Sequence, residues 1–285
     1  MSHEIGALLV FGILATLLLK MGWRRGFFAL PEGAWNCPLR FFHLLGAFSI
    51  YFLVSFGGTL LVLAFFKNAI QNNYIGYSSW FNFSMSSLIC LLLFVYLRQL
   101  PETVRANILL QKQDTPHAFK EDLHQAIYAW ILSFPLVLFV SQTLEWLIST
   151  LFHIQTLPDQ IAVRFLKNTF EHPLYFLLAI LSITILAPLI EETLFRGFLQ
   201  SFIRQHLGRK QAIAITSVCF SLFHYSTGQG LANLAIIPPL FILSLFLGFI
   251  YEKRRCLAAP MALHALFNSV SVVNLYLFGG FDAGL

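Results

Sequence analysis

About eight apolar runs divide the 285-residue chain: Ile5–Gly22, Phe41–Phe66, Trp80–Leu97, Ala126–Phe152, Leu174–Ser201, Ala212–Tyr225, Leu231–Tyr251 and Leu257–Phe278. Crossing a bilayer takes about 20 apolar residues in a helix. None of the runs shows the dyad alternation of a barrel strand, so helices are left as the way to satisfy the backbone in lipid. The pattern predicts an all-α polytopic transmembrane bundle of about eight spans. Ala212–Tyr225 is short, rising only about 21 Å at ~1.5 Å per residue, and Ser226-Thr-Gly-Gln-Gly230 breaks it. Non-helical backbone at membrane depth persists only inside protein or beside a wet cavity, which predicts water next to His224.

Composition agrees: the chain is 58% hydrophobic and 11% charged, with 31 Phe and a mean hydropathy of +0.73, outside the range of soluble domains. Most Lys and Arg fall in the loops after spans one, three, five and seven, including Arg24, Arg25, Arg98, Lys112, Arg204, Arg209, Lys253 and Arg254, whereas the opposite loops hold Lys67, Arg164 and Lys167. The positive-inside rule then makes the basic loops cytoplasmic and both termini extracytoplasmic in a multi-pass protein, expected in a bacterial inner or cell membrane. An inner-leaflet distribution accounts for the formal charge of +5, so no nucleic-acid partner is needed. Met1-Ser-His-Glu4 lacks a positive n-region, and no small-x-small site follows, so the first run is expected as a retained span. Cys37, Cys90, Cys219 and Cys256 are scattered without a CxxC and are expected as packing residues rather than disulfides or zinc ligands.

The long polar stretch Gln99–Gln125 predicts a cytoplasmic linker at 99–125 between an N-terminal three-span scaffold (1–98) and a catalytic membrane core (126–285). The scaffold carries one acidic residue after Glu4, Glu32 in a loop, whereas the last four spans carry Glu191, Glu192, Arg196, His224, His264 and Asn268. Glu145 beside Trp146 is expected near the outer interface.

A carboxylate at the centre of a membrane helix costs roughly 2.5 to 3.5 kcal/mol on insertion scales, and such groups usually face protein or water. Glu192 and Arg196 are four apart and can pair on one face, with Glu191 rotated away by about 100°. Glu191 is thereby left free to accept a proton from water, the task of a general base. The bland reading is that both carboxylates only staple helices through Arg196. His264 and Asn268 also share a helical face. Counting ~1.5 Å per residue from the basic ends puts Glu191 and His224 about 20 Å deep and His264 and Asn268 about 10 and 16 Å deep. This depth predicts convergence, provided the fifth span runs on to Arg204, and access from the cytoplasmic side. Pro188 permits a kink before the carboxylates. HExxH, GxGD and GxSG are absent. Zinc held by Glu191, His224 and His264 is a minority alternative to a cofactor-free site.

The motifs EExxxR (Glu191, Glu192, Arg196), FxxxH (Phe220, His224) and HxxxN (His264, Asn268), the last reached through Leu257-Ala-Ala-Pro-Met-Ala-Leu-His264, resemble those of the CPBP family of CAAX proteases, bacteriocin-processing enzymes and abortive-infection proteins, over roughly Pro173–Phe278. The resemblance implies a glutamic intramembrane endopeptidase. Glu191 and His224 would activate water, His264 and Asn268 would hold the oxyanion, and Glu192 and Arg196 would support them. Its partners would be the bilayer and an unidentified peptide or membrane-protein substrate. One departure is Arg255-Cys256, where family members often have a Gly-Ser type turn. The alternatives are a catalytically silent adaptor or immunity protein and a proton-coupled transporter.

Overall fold

In the computed structural model, which describes residues 2–31, 38–109, 116–154 and 157–278, the expected all-helical bundle is present and no strand occurs among the described residues. Glu32, Cys37 and Lys112 lie outside them. The helices are α1 (Ser2–Arg24), α2 (Phe41–Asn72), α3 (Tyr74–Gln99), α4 (Glu102–Leu109), α5 (Pro116–Phe152), α6 (Ile161–Asn168), α7 (Pro173–Leu207), α8 (Arg209–Phe223), α9 (Asn233–Arg254) and α10 (Ala258–Phe278). Among the described residues six are long and apolar enough to cross a membrane: α2, α3, α5, α7, α9 and α10. The protein is thus a multi-pass membrane protein. The other two expected spans are α1, of 23 residues, and α8, only 15 residues long and ending at His224.

Part of the expected linker is helical. Val104 and Ile108, one turn apart in α4, are both buried, and the backbone carbonyl of Ile108 accepts from the Tyr251 hydroxyl at 3.5 Å. This apolar pair at i, i+4 gives α4 a face to bury, a signal hidden by the surrounding polar residues.

α9 is the most enclosed span, with 56% of its apolar stretch buried against 0% for α2. α5 packs on α1, α9 and α10, α8 lies on α9, and α3 packs on α2 and α7. One core joins α3 to α7 through Leu93, Leu97, Phe195 and Phe198, and a second joins α5, α9 and α10 through Leu132, Leu247, Ile250 and Leu263. Phe42, Leu53, Phe56 and Leu60 of α2 face outward, which costs little where the solvent is lipid and helix association rests on packing.

Two turns explain local sequence. Gly208, between α7 and α8, has φ +85, open to glycine at little cost. Arg255, between α9 and α10, has φ +56, so the departure from a Gly-Ser type turn puts an L side chain in the left-handed region. Of the cysteines, Cys256 is buried in the second core, Cys90 is half-buried against the first and Cys219 is exposed, all as free thiols.

Candidate active site

α7 carries the carboxylates, and its backbone departs from α geometry on both sides of them. Ser182–Leu186 and Thr193–Gln200 are π-helical, flanking Ala187–Glu192. Pro188 lacks an N–H and its ring would crowd the carbonyl four residues back; the wider turn ending at Leu186 relieves that crowding. Such π segments often occur at functional sites. The span runs unbroken past Arg204, as the depth count required.

Glu192 and Arg196 pair at 2.9 Å, both 0% exposed. Arg196 also donates to the Ser244 hydroxyl at 2.6 Å and lies 4.5 Å above the Phe220 ring. Sequence reasoning gave Glu192 no other partner, yet the same oxygen of Glu192 takes the Nδ1 of His264 at 2.7 Å. A carboxylate accepts, so Nδ1 carries the proton and Nε2 of a neutral His264 ring is the free nitrogen.

His224 caps α8 at φ −89, ψ 1, a sparsely populated region. Its Nδ1 lies 2.9 Å from the Phe220 carbonyl. That oxygen too can only accept, so Nε2 of a neutral His224 is again the free nitrogen. Both free nitrogens face Glu191: its Oε2 stands 3.9 Å from His224 Nε2 and 3.9 Å from His264 Nε2. This Oε2 is buried without a hydrogen-bond partner among the described residues.

Asn268 sits elsewhere in the arrangement. Its amide donates to the Ile183 carbonyl at 2.9 Å, tying α10 to the first π segment of the helix that bears Glu191.

Beyond Arg196 the polar side chains continue as a ladder that the motifs did not reveal. Glu192, Arg196, Gln200 and Arg204 recur every four residues on α7, opposite Ser244, Gly248 and Glu252 at the same interval on α9. Gln200 Nε2 donates to the Gly248 carbonyl and to Glu252, each at 3.0 Å, and Arg204 lies 3.5 Å from Glu252. The four-residue spacing of polar residues on α7, with Ser244 and Glu252 two turns apart on α9, was the available signal.

Two cavities meet at Glu191. One, of about 850 Å³, is lined by Glu191 and His224 and extends past Asn82 to Tyr74, Gln160 and Arg164. The other, of about 230 Å³, runs between α2 and α3 along Tyr51, Ser55 and Thr59. The large cavity thus reaches α6 and the start of α3, at the end of the bundle opposite Arg98, Arg204 and Lys253. Access from the basic side was expected, and the structure opens the cavity the other way. A depth count along single helices gives distance but says nothing of the direction in which helices splay. The helices expected as bare scaffold also supply walls of the site.

Among the described residues no three His, Cys, Asp or Glu side chains are grouped to hold a metal ion. Tetrahedral zinc with bonds of about 2.0 to 2.1 Å holds its ligand atoms about 3.3 Å apart, closer than the two 3.9 Å separations at Glu191.

Residues 173–270 match the family model of Rce1-like type II CAAX prenyl endopeptidases. The match contains every motif residue above and is consistent with CPBP family membership. No curated protein and no solved structure matches the chain.

Proposed function

We propose that this chain, with its Rce1-like region, is an intramembrane endopeptidase in which Glu191 and His224 activate water and His264, aided by Asn268, receives the oxyanion. The observation that carries this reading is the convergence of both free imidazole nitrogens on Glu191 Oε2, each at 3.9 Å. Two acceptors at that separation can share one water about 2.8 Å from each, with an angle near 90° at its oxygen.

Charge balance divides the histidine roles. Glu191 and Glu192 face one buried cation, Arg196, and a proton on His264 brings the group to neutrality. A buried charge left unpaired is strongly disfavoured. His264, bound to Glu192, then points an Nε2–H at the site, while neutral His224 keeps a lone pair there. The water donates one hydrogen to Glu191 and the other to His224. As its oxygen bonds to the carbonyl carbon, a proton passes to Glu191 and later to the departing amine. The carbonyl oxygen, now anionic, receives the His264 N–H. Asn268 has a second amide hydrogen beyond the one given to Ile183. No metal is required by these steps, and the substrate is a peptide or membrane protein reached through the large cavity.

The test uses purified protein in lipid nanodiscs and the best-cleaved member of a library of quenched fluorogenic decapeptides. Glu191→Gln and His224→Ala should each abolish cleavage in protein that still folds. His264→Ala, which strips buried Glu192 of a partner, should lower both thermal stability and kcat while leaving a measurable residual rate. A strong chelator should leave the wild type active. Wild-type turnover by Glu191→Gln would sink the reading. Loss on chelation with rescue by zinc would make the three residues ligands.

A further inference from the structure

Two polar residues outside the three motifs, Asn82 and Ser86, stand at the meeting point of both cavities, and Asn82 is the one that carries a carboxamide. Asn82 lines the large cavity and the small one together with Glu191. It lies about 12 Å along α3 from Tyr74 at ~1.5 Å per residue, inside a membrane span. Its side chain is exposed, and no described residue hydrogen-bonds its amide. Ser78 and Ser86, one turn to either side, line the large cavity with it, and Ser86 lines the small one too. The Ser78 hydroxyl is spent on the Ile75 carbonyl at 3.1 Å, so on this stripe Asn82 offers a free donor and a free acceptor on one planar group.

The chemistry proposed above needs that pair. A peptide bond is attacked only when it is out of a helix, and unwinding leaves main-chain N–H and C=O groups at membrane depth, each costing several kcal/mol when unpaired. A carboxamide matches both, because it is itself a peptide-like group. We infer that α3 forms a subsite for extended polypeptide in which Asn82 pairs with the substrate main chain next to the scissile bond. Asn82 is a binding residue in this scheme and takes no proton from water. The inference rests on the endopeptidase reading.

The experiment compares two forms of the best-cleaved fluorogenic decapeptide, one with every amide and one in which the amide beside the scissile bond is an ester, which removes one N–H. Wild-type protein should cleave the ester form about tenfold less efficiently, as measured by kcat/KM, the loss expected for one unpaired buried group. Asn82→Leu, which puts an apolar side chain in a lipid span, should cleave the amide peptide about tenfold less efficiently and no longer distinguish the two forms. Asn82→Asp, which keeps the acceptor, should still distinguish them. Wild-type kcat/KM for Asn82→Leu, or an unchanged amide-to-ester ratio in that variant, overturns the subsite. If Asn82→Leu fails to fold, indifference of the wild type to the ester at each position flanking the cut does so. Retained cleavage by Glu191→Gln would instead overturn the endopeptidase reading.

Discussion

Glu192 is where structure and catalysis are most tightly joined, and Glu192→Gln separates them. One oxygen of this fully buried carboxylate binds Arg196 at 2.9 Å and His264 Nδ1 at 2.7 Å. Glutamine keeps an acceptor there but removes the negative charge, so both bonds lose the attraction of an ionised acceptor, a loss of about 1 kcal/mol apiece. Arg196 is then a 0% exposed cation without its counter-charge, and breaking a buried pair from one side costs about 3 to 5 kcal/mol. Thermal unfolding in detergent should therefore show a clear destabilisation. Activity should fall further than folding accounts for. In a His–carboxylate pair that orients an imidazole and stabilises its charged form, the amide variant costs on the order of 10⁴-fold, about 5 kcal/mol at 1.36 kcal/mol per decade. A loss of at least about 10³-fold in kcat, measured well below the variant's unfolding temperature, is expected here. The decisive control is His264→Ala. If Glu192 acts through His264, Glu192→Gln in that background should cost less than about threefold more, since coupled residues are not additive. Wild-type kcat in Glu192→Gln, or losses that multiply in the double variant, would refute the link.

Three further outcomes are expected. Gly248→Leu should destabilise the protein by about 1 to 3 kcal/mol, because a Cβ at Gly248 would stand 2.7 Å from Gln200 Oε1 and push apart the α7–α9 ladder; an unchanged unfolding temperature would contradict the close packing. Cys256 lies between the last two spans, and burial pushes its thiol up to about 12. The folded state thus favours the neutral thiol, so iodoacetamide at pH 8 should modify Cys256 only after denaturation, and rapid labelling of folded protein would show the thiol to be accessible and ionised. A cysteine at Ala162, which lines the large cavity, should react with an impermeant maleimide from the membrane face opposite Lys253 and Arg254; labelling from the basic face would reverse the cavity's direction.

The helical bundle was legible in the chain because lipid leaves the backbone few solutions, and a long apolar run without alternation selects the helix. The short run before His224 and the pairing of Glu192 with Arg196 were equally legible, since both follow from rise per residue and from a four-residue spacing within one helix. The match over residues 173–270 falls on those same local patterns. What the sequence left open depends on contacts between helices. Glu192 reaching His264 across 72 positions, Asn268 fastened to Ile183 and the ladder from Arg196 to Glu252 were settled by the packing of α7 against α9 and α10. The two π segments that flank the carboxylates set their facing, and only Pro188 hinted at one of them. The apolar stripe of α4 was masked by its polar neighbours. The direction of the cavity, and the part α2 and α3 take in it, depend on where helices part rather than on how deep any residue lies. Spacing along one chain fixes depth and face, whereas only tertiary packing decides which faces meet and on which side they open.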